Sequence, residues 1–327
     1  ISNNLDLLQA GERVLQARER KNIHSGAFIP SISIDGSGNR NFAPNQLSSG
    51  ERLYSNSFNL GASASWQLDL FGRIRRSVEA ADATLMASQT DREALLQTLI
   101  ADLAFRRVGL GVNARLLDLA VESATNRESL LNLIARRYEL GSRGFSLEDI
   151  YLAEDNLTNV RAEVNGLERQ IAEESYRLDV LLGQLPGTAP RPKSEDFPLF
   201  DAPPALPDFV PLDLLDRRPD LLSSEFRLAA ATAEVGVAIA DLLPSTTLSA
   251  NVGLTNESTG NLIDADSLTG SIAGSLLQRV FEGGSLRANI RLQESEAQEL
   301  LLSYQSAILE AIRELETGLQ ADRQLNL

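Results

Sequence analysis

The sequence has no cysteine and one histidine among its 327 residues, and 45 acidic side chains outnumber 30 basic ones for a net charge of −15. Without thiolates there is no Cys/His metal site, and a catalytic relay would have to run through His24 alone. His24 sits in a polar, helix-ending stretch, where a solvated surface position accounts for it. The acidic balance leaves no basic stripe to meet phosphates and argues against a nucleic-acid binder. Lack of cysteine leaves the redox compartment open. No apolar run reaches the roughly 18 residues of a transmembrane helix, and no signal peptide opens the chain. The first residue is Ile1, and the last stretch, EAIRELETGLQADRQLNL, stops inside a helical pattern; the expectation is a fragment lacking both ends. The carboxylates always permit a hydrolase, yet no pair stands apart from solvated helix faces. No enzymatic activity, metal or cofactor is expected.

What is present is a duplication. At an offset of 214 residues Asp6-Leu7-Leu8 recurs as Asp220-Leu221-Leu222, Arg13 as Arg227 and Pro30-Ser31 as Pro244-Ser245; Phe71 then answers Phe281 at an offset of 210. Each copy reads helix, proline, strand, loop, strand, glycine turn, long helix. The expected first repeat spans 1–185, with a half-length helix, strands over about 31–41 and 55–69, a long helix over 72–140 and a returning helix over 146–183. A proline-rich linker covers 186–211. The second, truncated repeat spans 212–327, with a helix over 213–242, strands over about 245–256 and 268–280, and a helix over 285–327.

The strands alternate. Phe58, Leu60, Ala62, Ala64, Trp66 and Leu68 share one face, and Asn59, Gly61, Ser63, Ser65 and Gln67 the other. Leu248, Ala250, Val252 and Leu254 likewise oppose Thr247, Ser249, Asn251 and Gly253; the strand from Ser31 keeps the rule only to Ile34 and then becomes glycine-rich. A period of two marks a sheet with one apolar and one polar face. Two readings stand: a sandwich face packed on a core, or a lipid-facing strand lining a wet lumen.

The helices differ in length. Residues 72–140 contain no proline and would make roughly 100 Å of helix at 1.5 Å per residue. The two shorter helices on either side of the linker together match it, so one helix leaves the sheet and two bring the chain back. The returning helix repeats Ile150, Leu157, Val164, Ile171 and Leu178 every seven residues, with Ala153, Val160, Leu167 and Leu181 as a second row broken by Glu174, a coiled-coil seam. Between the long helices lies LGSRGFS, with Gly141 and Gly144 as breakers and Ser146 as N-cap. Four strands cannot close a membrane barrel, and open edges are forbidden in lipid, so membrane strands would have to be shared among copies, giving eight, twelve or sixteen strands.

The segments SWQLDLFGRIRRSVEAADA, RRPDLLSSEFRLAAATAEVGVAIADLLPSTTLSANVGL and VFEGGSLRANI resemble the signatures of the TolC/OprM-like outer-membrane efflux proteins, in the lipoprotein-type branch that serves RND pumps. The resemblance covers essentially the whole chain in order. It implies a mainly α fold with transmembrane β: a trimer whose four strands per chain make a twelve-stranded barrel in the Gram-negative outer membrane, continued by a coiled-coil tunnel into the periplasm, with an equatorial region near 186–211. It implies a passive gated duct for small molecules, working with a periplasmic adaptor and an inner-membrane RND-type pump. A type I protein-secretion duct and a non-pore coiled-coil scaffold are the alternatives.

By the same resemblance Phe58, Leu60, Trp66, Leu68, Leu248, Val252 and Leu254 face lipid, with Trp66 an aromatic anchor near the periplasmic interface. Asn59, Ser63, Ser65, Gln67, Ser249 and Asn251 line the lumen. Pro30, Phe71, Gly72, Pro244, Gly283 and Gly284 form the barrel-to-tunnel bend. Gly141, Ser142, Arg143, Gly144, Phe145, Ser146 and Leu147 form the adaptor-docking tip; an ordinary solvated helix hairpin is the plainer account of that turn. The chain departs from its relatives at FRRVGLGVNAR (105–115), where Gly109 and Gly111 should weaken the helix by about 1 kcal/mol each against alanine. The second hairpin tip and a lipidated N-terminal cysteine are not among these residues.

Overall fold

The computed structural model describes residues 2–44, 52–188, 195, 197 and 217–325. They form α1 (Leu5–Gly26), β1 (Ser31–Pro44), β2 (Arg52–Leu68), α2 (Arg73–Glu139), α3 (Leu147–Leu181), α4 (Pro219–Ala240), β3 (Ser245–Asn256), β4 (Leu268–Leu277) and α5 (Ser285–Leu325). Most of the linker expected over 186–211 and the first residues of the helix expected over 213–242 lie outside the described residues. The chain divides into two compact units, residues 1–12 with 91–210, and residues 13–90 with 211–327.

The unit of 13–90 and 211–327 holds one antiparallel sheet in the order β1-β2-β3-β4, so β1 and β4 are its edges. Local chemistry moves several strand ends from their expected places. β1 does not end near residue 41. It pairs with β2 as far as Pro44 opposite Arg52, which also starts β2 ahead of residue 55. The glycines that hid this stretch are roofed by the neighbouring strand. A Cβ on Gly38 would lie 3.2 Å from the Phe58 ring, and one on Gly36 3.7 Å from Leu60 Cδ1. Large side chains of β2 thus supply the apolar cover that β1 lacks. β4 stops at Leu277 rather than near 280, because the next residues turn toward the helices: Gln278 Nε2 donates to the Leu242 carbonyl at 2.7 Å, and Arg279 reaches Glu282 at 3.6 Å and Asp241 at 3.9 Å.

In the same unit the described part of the helix expected over 213–242, α4, runs from Pro219. Arg218 is extended (φ −74°, ψ 119°), as the residue before a proline must be, and Pro219 sits where its missing N–H is not needed. Arg218 is held on both sides, by Asp220 at 2.7 Å and by Glu314 of α5 at 2.8 Å. Hydrogen bonds to Asp220 and Glu314 raise the Arg218 pKa, and Arg218 lowers that of Asp220. The helical core of this unit combines Ile74, Leu85 and Leu221 with many small residues, including Ala17, Ala80, Ala83, Ala87, Ala233, Ala238 and Ala311, all below a tenth exposed, which lets helices approach closely.

In the unit of 1–12 and 91–210, Leu110 of α2 and Ile171 of α3 enclose Phe197, with Leu117 and Leu178 packed around them. The expected helix weakness at Gly109 and Gly111 does not break α2. Gly111 is instead a socket: a Cβ there would lie 2.9 Å from Phe197 Cγ. Arg107 stacks over the Phe197 ring at 5.1 Å, and Arg115 Nη2 donates to its carbonyl at 2.6 Å. Glu174, the break in the α3 seam, pairs with Arg106 at 2.9 Å and Arg177 at 2.6 Å.

Candidate functional site

Among the described residues no hydrophobic core covers either side of the sheet. On its apolar face, register places Ile32, Ala64, Ala250 and Ile272 in one row, Ile34, Ala62, Val252 and Gly270 in the next, then Gly36, Leu60, Leu254 and Leu268. Toward the helices come Trp66, Leu248 and Gly274, then Leu68, Thr246 and Leu276; Phe58 lies at the other end, opposite Gly38. These side chains are not tucked away. Ile32 is 75%, Ile34 81%, Ile272 82% and Leu276 68% exposed. So large an apolar surface on a soluble monomer would be an interaction site or an aggregation hazard.

The opposite face is small and polar. Its rows are Ser31, Ser65, Ser249 and Ala273; Ser33, Ser63, Asn251 and Ser271; Asp35, Gly61, Gly253 and Thr269; Ser37, Asn59 and Thr255; and Gln67, Thr247 and Ser275. The hydroxyls bond along the sheet rather than into a core: Ser33 Oγ lies 2.7 Å from Ser63 Oγ, Asn59 Nδ2 donates to Ser37 Oγ at 3.3 Å, and Ser249 Oγ donates to the Ala273 carbonyl at 3.4 Å. All six lumen residues expected from sequence share this face, and all seven lipid residues share the other.

Trp66 is half-buried and donates its Nε1–H to the Phe28 carbonyl at 3.0 Å. An indole with one end apolar and its N–H satisfied is the form this residue takes at a membrane surface. Nearby Ile29 and Phe71 are 68% and 47% exposed, and Val280 and Phe281 are 90% and 88% exposed.

The two bends reach their turns differently. At the first, Gly72 takes φ +84° and Asp69 caps α2: its carboxylate accepts the Ile74 N–H and the Arg75 N–H, each at 3.0 Å, and Arg75 Nε at 3.1 Å. Burial would raise the Asp69 pKa, but these donors outweigh it and hold the carboxyl below its ordinary value. At the second, Gly283 and Gly284 both take positive φ (+61° and +86°). Pro30 and Pro244 directly precede β1 and β3, and Arg73 Nε bonds Asp241 at 2.7 Å beside Pro244.

At the turn between α2 and α3, Gly141 (φ +67°) closes α2: its N–H bonds the Tyr138 carbonyl at 2.9 Å and the Ser142 N–H bonds the Arg137 carbonyl at 3.1 Å. This pair of bonds is a Schellman motif, and Arg136 and Arg137 sit in the last turn, where cations favour the dipole. Gly144 (φ +93°) turns the chain, and Ser146 and Asp149 form a capping box that opens α3. Hydrogen bonds from the Ser146 hydroxyl and N–H lower the Asp149 pKa. Both helix ends are satisfied within the turn, leaving Arg143 and Leu147 exposed and Ser142 and Phe145 half-buried.

Here comparison with known proteins becomes decisive. The family model described as outer membrane efflux protein matches residues 1–184 and 210–325. The chain belongs to the outer membrane efflux protein family. It is 31% identical over 323 residues to the toluene efflux pump outer membrane protein TtgF of Pseudomonas putida, covering 98% of this chain and 66% of that protein. It is 32% identical over 339 residues to the pyoverdine export outer membrane protein OpmQ of the same species, covering 98% of this chain and 68% of that protein. The solved outer-membrane channel OprN superposes with a TM-score of 0.88 at 31% identity over 99% of this chain and 73% of that one. The chain thus spans just under two thirds of the length of TtgF. As a member of this family it is a protein of the outer membrane.

The sheet also holds polar residues that the sequence pattern does not single out. Ser33, Asp35 and Ser37 of β1 lie on the polar face beside Ser63, Gly61 and Asn59. Their alternation was visible in the odd positions, but the glycines between them masked it. Asp69 carries a signal of its own, since an acid just before Phe71-Gly72 and a following helix is a capping pattern.

Proposed function

We propose that the chain is the duct subunit of an efflux system. Three copies close a twelve-stranded barrel, β1 of one pairing with β4 of the next, because each unpaired backbone group would cost several kcal/mol in lipid. Phe58, Leu60, Trp66, Leu68, Leu248, Val252 and Leu254 face lipid. Asn59, Ser63, Ser65, Gln67, Ser249 and Asn251 line a water-filled lumen, and the bends at Phe71-Gly72 and Gly283-Gly284 hand the barrel over to a helical tunnel. The two copies of the helix–strand–strand–helix unit are a tandem duplication. The turn Gly141–Leu147 receives a periplasmic adaptor, and an inner-membrane pump of the RND type drives the cargo. The duct is passive and not an enzyme.

The observation that carries this reading is the sheet: two open edges, one face apolar yet largely exposed, the other small and hydroxylated. A lumen of serine, asparagine and threonine binds no solute tightly, which suits a path open to varied small molecules. One relative is named for toluene and another for pyoverdine, so choice of cargo falls to the pump. The test is single-channel conductance of the full-length protein in planar bilayers, with its mass in detergent. A trimer with a defined conductance that rises when the tip is loosened at Arg143 is expected; a water-soluble protein without conductance would instead favour a coiled-coil scaffold.

A further inference from the structure

Among residues 31–43, 54–68, 245–256 and 268–277, the apolar face of the sheet carries one charged side chain, Arg40. It stands opposite Asn56 near the end of the sheet far from the helices. Its guanidinium carbon lies 4.9 Å from the centre of the Tyr54 ring. Tyr54 is 59% and neighbouring Phe42 65% exposed. Toward the helices the face continues through Phe58, Leu60 and Ile34, with Asn256 beside Phe58 as its one polar side chain before Thr246.

The height of Arg40 is informative. From Trp66 to Asn56 along β2 is ten residues, or roughly 33 Å of strand, which a tilt of about 40° reduces to about 25 Å, the height of the apolar band of an outer-membrane barrel. With Trp66 at the inner boundary, Arg40 reaches the outer one. A cation at mid-band would be strongly disfavoured, whereas near the boundary the cost nearly vanishes. Stacking on Tyr54 uses the flat face of the guanidinium and leaves its in-plane N–H donors for an acceptor. Their fork geometry suits two oxygens of one phosphate.

We infer that Arg40 and Tyr54 hold the phosphate of an anionic lipid of the outer leaflet, whose acyl chains lie along Phe58, Leu60 and Ile34. The inference rests on the lipid-facing reading of the sheet. Charge complementarity selects this occupant: the patch has a cation, an aromatic shelf and an apolar slope below, in the order of headgroup and chains.

The experiment places the full-length protein in phosphatidylcholine vesicles with increasing diphosphoryl lipid A and reads lipid A retained per chain by mass spectrometry. Arg40→Gln is expected to weaken retention about fivefold, the effect of one cation at a membrane surface. Arg40→Lys should restore part of it, and Tyr54→Leu should weaken it less than Arg40→Gln. Equal retention by wild type and Arg40→Gln would overturn the inference. So would loss of subunit association in Arg40→Gln with lipid retention unchanged, which would give Arg40 to a neighbouring copy. Quenching of Trp66 fluorescence by brominated phosphatidylcholine separates the two levels. Without quenching the lipid-facing reading itself fails; with quenching and unchanged retention only the role of Arg40 fails.

Discussion

Apolar side chains meet opposite fates in two regions of this molecule. Around Phe197, Leu110 and Ile171 are at most 4% exposed, and the phenylalanine fills a space left open by a glycine. On the sheet, isoleucines stand 75–82% exposed in ordered rows. The first arrangement is a core made for water outside. The second suits an apolar medium outside, which the proposed reading takes to be the lipid of the outer membrane. The contrast teaches that exposure, not composition, separates an apolar core from an apolar face turned outward.

The largest effect should come from breaking the first region. Phe197→Ala should cost about 3–5 kcal/mol, the range for emptying a buried aromatic site, read as a lower urea midpoint for its unit. The matching truncation on the sheet, Ile272→Ala, should change stability in vesicles by less than about 1 kcal/mol, since only lipid contact is lost.

Next comes a charge placed on one face or the other. Ala62→Arg, near mid-band, should destabilise the membrane-inserted protein by about 2–4 kcal/mol, whereas Ser63→Arg, its neighbour in sequence on the polar face, should cost little and narrow the conductance instead. Equal effects from the two would dissolve the distinction between the faces.

Two glycines separated by one residue sharpen the comparison within α2. Gly111→Ala should destabilise by about 1–3 kcal/mol, because its methyl would press on the Phe197 ring. Gly109→Ala meets nothing within 4 Å and should stabilise by up to about 1 kcal/mol through helix propensity. Thermal unfolding of both variants reads the sign change.

The smallest effect lies at the border of the sheet. Asp69→Ala should cost about 1 kcal/mol through the lost cap of α2. The native carboxyl is held below its ordinary value, so its contribution is complete above the unfolded carboxylate range near pH 4 and is lost as pH falls through the lower folded value. Comparing acid unfolding of wild type and Asp69→Ala would show their difference closing as pH drops.

Much of this was legible in the residues. The alternation of β2 and β3 gave both faces, because period two assigns every side chain once the strand is known, and Gly141, Gly144 and Ser146 marked the turn through positive φ and capping. Other parts depended on partners distant in sequence. The outer half of β1 reads as glycine-rich loop until Phe58 and Leu60 of β2 are seen covering it. Gly111 reads as a helix weakness because the ring that needs the space is carried by Phe197, whose carbonyl meets Arg115 across 82 residues of chain. The adaptor surface proposed at Gly141–Leu147 is legible only as a turn, since the hydrogen bonds described there are internal and a partner leaves no mark on them.

These 327 residues hold no cysteine, so no native thiol within them competes with one introduced among them. Single cysteines at Ser63, Asn251, Ala64 and Val252, in the full-length protein in vesicles, would be reacted with a membrane-impermeant maleimide and, separately, with a lipid-dissolved one. The account predicts that Ser63→Cys and Asn251→Cys react with the water-borne reagent and Ala64→Cys and Val252→Cys with the lipid-borne one. Labelling of all four from water, or of none from lipid, would contradict it.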